Sequence, residues 1–259
     1  MSGFADRYGP WAVVTGAGAG MGAAFVNELH ARGLHVLLVD RDAEGLARHA
    51  GPGDRTLQLD LCEPDAAGAL TAAVDELDVG LLVSNAAISY TRAFLDETLE
   101  EKLAQLRLNV ELPLRLVHHA LPALVRRGRG GVVLVASLAG LRGTALEAGY
   151  AASKAWTIVL GESLWDELRD HGVDVLSLLP GTTNTPGFAS SRPRPGLGTS
   201  NVMEPADVVR EGLDALGAGP SHIAGQANRD AEAFMAALDR MEAVVTMGRV
   251  MRQMYPSDR

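Results

Sequence analysis

The sequence predicts a single α/β domain in which a doubly wound, parallel sheet of about seven strands carries helices on both faces. Three observations predict this fold. Short runs of β-branched and other apolar residues alternate with longer segments of helical periodicity. The short runs are continuously apolar, which suits strands that helices cover on both faces. A glycine-rich turn joins the first predicted strand to the first long helix.

Seven segments are predicted as strands, and helices fill most of the intervals between them. In chain order the predicted strands are Trp11 to Thr15, His35 to Val39, Thr56 to Leu59, Gly80 to Ser84, Val132 to Ala136, Val173 to Leu179 and Ser221 to Ala224. No internal repeat or interdomain linker interrupts the pattern. We therefore interpret residues 1–259 as one domain, which at this length can bury a full core.

Composition and charge exclude several classes of partner. A net charge of -9 and an isoelectric point near 5.2 leave no basic face of the kind that nucleic acids and anionic membranes require. The single cysteine, Cys62, excludes an internal disulfide and fits a reducing compartment. Residues 1–10 do not resemble a signal peptide, and no apolar run approaches the roughly 18 residues of a membrane span. We expect a soluble, cytoplasmic protein.

The glycine-rich turn has the spacing T-G-x-x-x-G-x-G, formed by Thr15, Gly16, Gly20 and Gly22. Glycines at this spacing let the backbone turn tightly and approach a pyrophosphate, whose charge is met by the N-terminus of the following helix. Met21 stands where the fingerprint G-x-G-x-x-G would have a glycine. The candidate dinucleotide-binding residues of the turn are Gly16, Gly18, Ala19, Gly20, Met21 and Gly22.

An acidic residue, Asp40, ends the second predicted strand, 18 positions after Gly22. A carboxylate at this place can accept hydrogen bonds from both hydroxyls of an adenosine ribose. The 2′-phosphate of NADP would meet a negative charge there, so we expect NAD to be preferred over NADP. Arg41 is the competing feature, because a guanidinium can clamp that phosphate. The structural alternative for Asp40 is a turn residue at a strand end.

Tyr150 and Lys154 lie at the start of a long apolar segment that runs to about His171. In a helix their side chains would project from one face, about one turn apart. A nearby cation favours the phenolate and lowers the pKa of a phenol, so the pair is a candidate device for proton transfer. The alternative is a helix that begins with an ordinary tyrosine and carries a lysine reaching to solvent.

The long turn-rich stretch from Thr182 to Glu204 is rich in proline and glycine. It is long for a connection within a compact domain, and such loops are usually lids or binding loops. We predict that residues 182–204 form a substrate lid. A disordered surface loop is the alternative.

With these motifs the chain resembles the short-chain dehydrogenase/reductase family, in particular its single-domain members with a Rossmann-like fold. The resemblance covers about Trp11 to Pro186 and rests on further motifs besides the glycine turn and the tyrosine–lysine pair. These are Asp60-Leu61 after the third strand, Ser84-Asn85-Ala86-Ala87 where the family has Asn-Asn-Ala-Gly, Asn109 in Leu108-Asn109-Val110, Ser137 at the end of the fifth strand, and Pro180-Gly181-Thr182-Thr183-Asn184-Thr185, which matches P-G-x-x-x-T.

The resemblance implies an NAD(P)(H)-dependent oxidoreductase that interconverts a secondary alcohol and a ketone on a small-molecule substrate. Tyr150 would be the acid–base, Ser137 would hydrogen-bond the reacting oxygen, and Lys154 would stabilise the phenolate and hold the nicotinamide ribose. Asn109 would orient a water toward Lys154. The remaining cofactor contacts implied are Asp60, Leu61, Asn85, Ala86, Ala87, Pro180, Gly181, Thr183 and Thr185, the last of them near the nicotinamide amide.

Two alternative functions stay open. One is a catalytically silent dinucleotide sensor or scaffold on the same fold, against which the intact set of Asn109, Ser137, Tyr150 and Lys154 argues. The other is a nucleotide-sugar epimerase or dehydratase, whose larger substrate usually needs a bigger C-terminal domain than the residues after Thr185 provide. No metal site is expected, because the adjacent His118 and His119 would face different sides of a helix.

The C-terminal part, residues 226–259, departs from the family pattern and is predicted as an atypical helical extension. Phe234, Leu238, Met241 and Val245 fall at helical spacing, with further methionines beyond them. This stripe is interpreted as core or interface, or alternatively as a flexible wall for a lipophilic substrate. In the family the helix predicted from Ala104 to Arg126 and the Tyr150 helix pair across a subunit interface, so a homodimer or homotetramer is expected.

Overall fold

A computed structural model of the protein describes residues 3–196 and 199–256. Seven strands form one sheet in which all neighbouring strands are parallel, in the order β3-β2-β1-β4-β5-β6-β7. They are β1 (Trp11–Thr15), β2 (His35–Asp40), β3 (Arg55–Gln58), β4 (Val79–Ser84), β5 (Gly130–Val135), β6 (Val173–Leu179) and β7 (Ser221–Ile223). The strand order reverses between β1 and β4. In open parallel sheets a ligand crevice lies at such a reversal, outside the carboxyl ends of the strands.

Helices cover both faces of this single-domain α/β fold. Within residues 3–196 and 199–256 they are α1 (Phe4–Tyr8), α2 (Gly20–Ala31), α3 (Ala43–His49), α4 (Ala66–Asp75), α5 (Leu99–Leu106), α6 (Leu112–Arg127), α7 (Ala148–Leu168), α8 (Pro186–Ser190), α9 (Pro205–Ala215), α10 (Gln226–Ala236) and α11 (Arg240–Met254). In this part of the chain, no helix has both the length and the apolar character needed to cross a bilayer.

Two apolar cores, one on each face, hold the sheet. Ala12 and Val14 of β1 pack into the core that contains Phe25 of α2, whereas Val13 packs into the opposite core with Leu116 of α6. All five residues are at most 2% exposed. Burial on both faces explains why the strands are continuously apolar in sequence. Each fully buried Val, Leu or Phe side chain stabilises the fold by roughly 1.5–3 kcal/mol relative to exposure, so the sheet is a rigid support for the edge where its strands end.

All seven predicted strands are confirmed, β1 and β6 with the predicted bounds and the other five with bounds that shift by one or two residues. β2 reaches Asp40, and β5 runs from Gly130 to Val135 and so ends one residue before Ala136. The helix that begins near Tyr150 is also confirmed as α7, which continues into a 3₁₀ turn at Arg169–His171.

The long helix predicted from Ala104 to Arg126 is interrupted. Between α5 and α6 the chain makes a π-helical turn at Arg107–Glu111, and Asn109 lies inside it. Single π turns within helices occur frequently at functional sites. The apolar periodicity that predicts the helix carries no signal for the wider turn, because a π turn keeps the residues in helical order.

The C-terminal extension is two helices instead of one long one. Asp239 begins the second helix, α11, by accepting a hydrogen bond from the Glu242 amide at 2.8 Å, and such a cap favours a new helix start. Phe234 and Met241 are 63% and 72% exposed, so the interpretation of the stripe as core is wrong for these positions. Met251 and Met254 farther along are buried. The break between α10 and α11 therefore leaves Phe234 and Met241 exposed, while Met251 and Met254 are buried.

Candidate functional site

The glycine turn between β1 and α2 is shaped by close approaches that leave no room for side chains. A Cβ atom on Gly22 would lie 1.8 Å from the carbonyl oxygen of Gly16. Gly16 and Gly20 have φ values of +68° and +54°, a region that L-residues with side chains rarely adopt. The amides of Gly16 and Ala17 donate to the carbonyl of Val39 at 2.8 Å and 3.1 Å, which ties the turn to β2.

The helix that follows the turn, α2, begins without a side-chain cap. Its N-cap residue is Ala19, which is exposed and provides no hydrogen bond to the first helical amides. Met21 is half-buried and packs against the core, which keeps the first turn of the helix fixed. An uncapped helix N-terminus beside a glycine turn offers amide donors and a positive dipole end to a phosphate. These residues therefore fit a dinucleotide.

Asp40 is held against the glycine turn. Its Oδ2 accepts the Gly18 amide at 2.9 Å, and its Oδ1 accepts the Asp42 amide at 3.0 Å. A Cβ atom on Gly18 would lie 3.0 Å from the carboxyl carbon, so a side chain here would crowd the carboxylate. Arg41, in contrast, is 73% exposed, and its Nη1 lies 3.9 Å from Oδ2 of Asp60. The carboxylate is fixed while the neighbouring guanidinium extends into solvent.

The end of β4 is bonded to the end of β1. Asn85 donates from its side chain to the Thr15 carbonyl at 2.9 Å, and the amides of Asn85 and Ala86 donate to the Thr15 hydroxyl at 3.0 Å and 3.1 Å. Ala87 is exposed beyond this junction, and Leu61 is buried beneath the sheet edge. Thr15 thus bonds the ends of β1 and β4 together where the strand order reverses. Its place in the glycine motif does not predict this role.

Asn109, inside the π turn, uses its whole amide to bind protein groups. Its Oδ1 accepts the Ile88 amide at 3.0 Å, and its Nδ2 donates to the Ile88 carbonyl at 2.9 Å and to the Ser153 hydroxyl at 3.1 Å. The side chain joins the loop after β4 to α7. The orientation of a water toward Lys154 stays a prediction.

Ser137, Tyr150 and Lys154 meet where β5 ends and α7 begins. The Ser137 hydroxyl accepts the Ala139 amide at 3.2 Å, and the nearby hydroxyl lowers the pKa of the Tyr150 phenol. Burial is the larger influence on the phenol and raises the pKa of Tyr150, and the charge of Glu147 raises it further. A serine, a tyrosine and a lysine are therefore brought together at the carboxyl edge of the sheet.

Lys154 is buried, and its ammonium donates to the Val135 carbonyl at 2.6 Å. Its Nζ lies 5.6 Å from the centre of the Tyr150 ring. Burial lowers the pKa of Lys154 to about 8, because desolvation disfavours the charged form. The ammonium is directed to the backbone of β5, and the lowering of the tyrosine pKa by Lys154 stays a prediction.

The P-G-x-x-x-T motif after β6 borders the glycine turn. The Thr185 hydroxyl accepts the Phe188 amide at 3.2 Å and caps α8, and its methyl carbon lies 3.2 Å from where a Cβ atom on Gly20 would be. The Thr183 hydroxyl donates to the Gly181 carbonyl at 3.1 Å. The Pro180 carbonyl accepts the Leu138 amide at 3.0 Å. The motif thereby connects the turn after β1 with the segment that follows Ser137.

Three residues at this edge were not predicted from the sequence. Glu147 lies three positions before Tyr150, accepts a hydrogen bond from the Thr91 hydroxyl at 3.2 Å and raises the pKa of two tyrosines, Tyr150 and Tyr255. An acidic residue just before the tyrosine is a signal that sequence reading could have used. Nothing in the sequence places Thr91 or Tyr255 here, since the fold brings them from distant segments.

In the described ranges, no three His, Cys, Asp or Glu side chains are grouped so that they could hold a metal ion. His119 instead contacts Asp75, with its Nε2 2.7 Å from the carboxylate.

The all-parallel sheet, the glycine turn before an uncapped helix and the carboxylate fixed beside it define a dinucleotide-binding protein of the Rossmann type. The sequence model of the short chain dehydrogenase family matches residues 10–196. The chain belongs to this family and is an oxidoreductase of it.

Relatives and solved structures agree with this assignment. The chain is 31% identical to a 7beta-hydroxysteroid dehydrogenase of Clostridium sardiniense over 97% of this chain and 99% of the relative. It is 31% identical to a very-long-chain 3-oxoacyl-CoA reductase of Laccaria bicolor over 83% of this chain and 65% of the relative. A solved 7beta-hydroxysteroid dehydrogenase superposes with a TM-score of 0.87 at 30% identity, covering 95% of this chain and 99% of that structure. A short-chain dehydrogenase of Sphingobium yanoikuyae in complex with NADPH has a TM-score of 0.75 at 26% identity, covering 89% and 97%.

Proposed function

We propose that the protein interconverts a secondary alcohol and a ketone by hydride transfer with a nicotinamide cofactor, and that hydroxysteroids are its substrate class. The observation that carries the reaction type is the meeting of Ser137, Tyr150 and Lys154 at the carboxyl edge of the sheet, next to the glycine turn. The substrate class is supported by the 7beta-hydroxysteroid dehydrogenases, which align over nearly the whole length of this chain.

In this proposal the bound cofactor supplies or accepts the hydride, and the protein manages the proton. Tyr150 gives a proton to the carbonyl oxygen in reduction and removes it from the alcohol in oxidation. Ser137 is close enough to the phenol to lower its pKa, so an oxygen that sits beside both groups would receive two hydrogen bonds as charge develops on it. Lys154, whose pKa is about 8, is mostly charged at neutral pH and offers an ammonium about one turn from the phenol.

We also infer that NAD(H) is favoured over NADP(H). The two amides of Gly18 and Asp42 hold the Asp40 carboxylate beside the turn, so it cannot leave without losing both bonds. A 2′-phosphate about 4 Å from a fixed carboxylate is repelled by roughly 4 kcal/mol at an effective dielectric constant near 20. Arg41 is the group that would offset this repulsion, and its exposed side chain is free of the turn.

The residues that enclose the substrate side support a lipophilic substrate. In α11, Val244 lies 3.8 Å from where a Cβ atom on Gly143 would be, so the C-terminal helix packs on the loop before α7. The buried Met251 and Met254 belong to the same helix, and methionine adapts to irregular apolar shapes. The Arg194 amide donates to the Met254 carbonyl at 2.8 Å, which connects this helix to the predicted lid.

A substrate panel tests the proposal. We expect a 7-oxosteroid and the matching 7β-hydroxysteroid to give a kcat/KM at least tenfold above that of 3-oxoacyl thioesters, sugar alcohols and simple ketones, with either cofactor. Tyr150→Phe is the control that separates this activity from contaminants. A panel in which a long-chain 3-oxoacyl thioester gives the highest kcat/KM would overturn the steroid assignment, and the 3-oxoacyl-CoA reductase of Laccaria bicolor makes that outcome the natural competitor.

We further propose that the protein is a homo-oligomer, at least a dimer. Several large apolar side chains on α5, α6 and α7 are between 43% and 65% exposed, namely Leu99, Leu103, Leu106, Leu114 and Val159. An isologous contact would cover them on both subunits at once. Sedimentation equilibrium of the parent should give at least twice the chain mass of 27.2 kDa, and Leu106→Glu should shift it toward the monomer.

A further inference from the structure

Glu147 is a half-buried carboxyl group at the substrate side of the site, and the proposed hydride transfer does not use it. It is the N-cap residue of α7, but its side chain does not bond the first amides of that helix. Its Oε1 instead accepts the Thr91 hydroxyl at 3.2 Å. A carboxylate has about four acceptor positions, so this one hydrogen bond leaves capacity for another donor.

The backbone before Glu147 is held in an unfavourable conformation. Leu146 has a φ of +66°, which is rare for a residue with a bulky side chain. Its carbonyl accepts the Arg92 amide at 2.9 Å, so the loop before α7 is bound to the segment that carries Thr91. Strain of this kind occurs preferentially at active sites and ligand sites. Here it fixes the direction of Glu147 at the start of α7.

The same loop is secured from the C-terminal side. Arg142, which is 7% exposed, donates to Glu232 of α10 at 2.5 Å. The loop is therefore bonded on both flanks, at Arg142 and at Leu146, and the position of Glu147 is determined by both. Hydrogen bonds on both flanks hold the Glu147 side chain in place, which a carboxylate exposed only to solvent does not need.

The charge of Glu147 affects the pKa of two tyrosines. It raises the pKa of Tyr150 and also that of Tyr255, which follows α11. The Tyr255 hydroxyl lies 2.9 Å from the Ser191 hydroxyl, in the segment predicted as the lid. The loop that carries Glu147 also packs on α11, since Val244 lies 3.8 Å from where a Cβ atom on Gly143 would be, and Tyr255 directly follows that helix. The part of a substrate beyond its reacting carbon would lie between this loop, the lid and the C-terminus.

We propose that Glu147, Thr91 and Tyr255 form a carboxylate subsite that accepts a hydrogen bond from a substrate hydroxyl other than the one that is oxidised. The proposal rests on the proposed function, because a steroid carries such hydroxyls on a rigid frame. Burial raises the pKa of Glu147 because desolvation disfavours its charged form, and a substrate hydroxyl can hydrogen-bond this group in either protonation state. Glu147 is then a residue that determines specificity by contacting the substrate away from the reacting carbon.

The test measures discrimination between substrates that differ in one hydroxyl. The probes are 7-oxo-5β-cholanoic acids with a hydroxyl at C3, at C12, at both positions or at neither, and kcat/KM is measured for each. In the parent we expect at least one ring hydroxyl to raise kcat/KM about tenfold, as a hydrogen bond to a buried carboxyl group should. Glu147→Leu should reduce that ratio to below threefold, and Glu147→Gln, which keeps an acceptor oxygen, should retain part of it.

The ratio between two substrates cancels any general effect of a substitution on folding or on Tyr150. Glu162→Gln is the matched control, because Glu162 is an exposed carboxylate on the same helix, and it should keep the parent ratio. Thr91→Val is a second variant that should lower the ratio without removing the carboxyl group.

The outcomes separate the two proposals. If the parent reduces 7-oxosteroids and the ratio is the same in Glu147→Leu, the subsite is wrong and the steroid function stands. If the parent reduces no member of the series, the hydroxysteroid function is wrong, and the subsite for a steroid hydroxyl is wrong with it.

Discussion

The cofactor side and the substrate side of the site are assembled in different ways. On the cofactor side, Gly18, Asp40 and Asn85 are fixed by hydrogen bonds between side chains and backbone at the ends of adjacent strands. On the substrate side, the loop before α7, the lid segment (residues 182–204) and the C-terminal helices meet through side chains from distant parts of the chain, as Ser191 and Tyr255 show. A fixed cofactor side serves one ligand across a family, while an assembled substrate side can change with little effect on the sheet.

Tyr150 lies between the two sides, and its removal should have the largest effect. We expect Tyr150→Phe to lower kcat by about two orders of magnitude or more, since general acid–base catalysis contributes roughly 10²- to 10⁴-fold. Dinucleotide binding, followed by fluorescence titration, should stay within about twofold of the parent. A kcat within threefold of the parent on an established substrate would remove Tyr150 from the mechanism.

The difference between the two sides also explains what could be predicted from the sequence. Local patterns in the sequence predict the strands, the glycine turn and Asp40, through periodicity, spacing and the position of a strand end. The structure has all seven strands, and Asp40 accepts the Gly18 amide. The π turn at Asn109 and the capped start of α11 at Asp239 depend on contacts that periodicity does not encode.

The substrate side was predicted least well, for the same reason. Tyr255 reaches Ser191 across 64 positions of sequence, and the Thr91 hydroxyl reaches Glu147 across 56. No spacing rule connects such residues, because the packing of α11 brings Tyr255 to Ser191, and the packing of the segment after β4 on the start of α7 brings Thr91 to Glu147. The exposure of Phe234 and Met241 follows from the same packing, and a helical stripe in the sequence could not reveal it.

Substitution of Asp40 tests whether the carboxylate is held firmly enough on the cofactor side to set the cofactor preference. We expect kcat/KM with NAD(H) to exceed that with NADP(H) at least tenfold, because the carboxylate repels a 2′-phosphate. Asp40→Ala should bring the two values toward parity, and Arg41→Ala should leave NAD(H) preferred. Equal or better efficiency with NADP(H) in the parent would show that Arg41 governs this pocket.

Hydrogen exchange in the lid segment tests whether the substrate side becomes more ordered when ligands bind. Its two ends are joined by backbone hydrogen bonds, from Met203 to Thr182 at 3.0 Å and from Asn184 to Met203 at 2.9 Å, while residues 197 and 198 lie outside the described part. We expect amide hydrogen exchange in this segment to slow when cofactor and substrate bind together, as for a closing lid. Fast exchange that a saturating ternary complex leaves unchanged would show that it is not a lid.

The bond between Tyr255 and Ser191 offers a smaller test of the same closure. Tyr255→Phe removes a single hydrogen bond, worth about 1 kcal/mol. Exchange at residues 186–194 in the ternary complex should therefore be roughly fivefold faster in this variant than in the parent. Exchange in β1 is the internal control and should not change, since the cofactor side does not depend on the C-terminus.

The smallest expected effect is that of the Glu147 charge, on the substrate side, on the pKa of Tyr150. Ser137 lowers the pKa of the Tyr150 phenol, the charge of Glu147 raises it, and the Lys154 ammonium lies 5.6 Å from the ring centre. Alcohol oxidation needs the phenolate, so its rate rises as pH passes upward through the pKa of Tyr150. Glu147→Gln removes the charge that raises this pKa, and the rise should therefore occur at lower pH.

The measurement is the pH profile of kcat for oxidation of a 7β-hydroxysteroid without further ring hydroxyls, so that the carboxylate subsite makes no hydrogen bond to it. At a pH on the rising limb, kcat of Glu147→Gln should exceed that of the parent about two- to threefold, as expected for a screened charge acting over several ångströms. Glu162→Gln changes the net charge equally and should leave the profile in place. A profile that moves to higher pH in Glu147→Gln would mean that the carboxyl group assists ionisation of the phenol, which would reverse the electrostatic role assigned to Glu147 here.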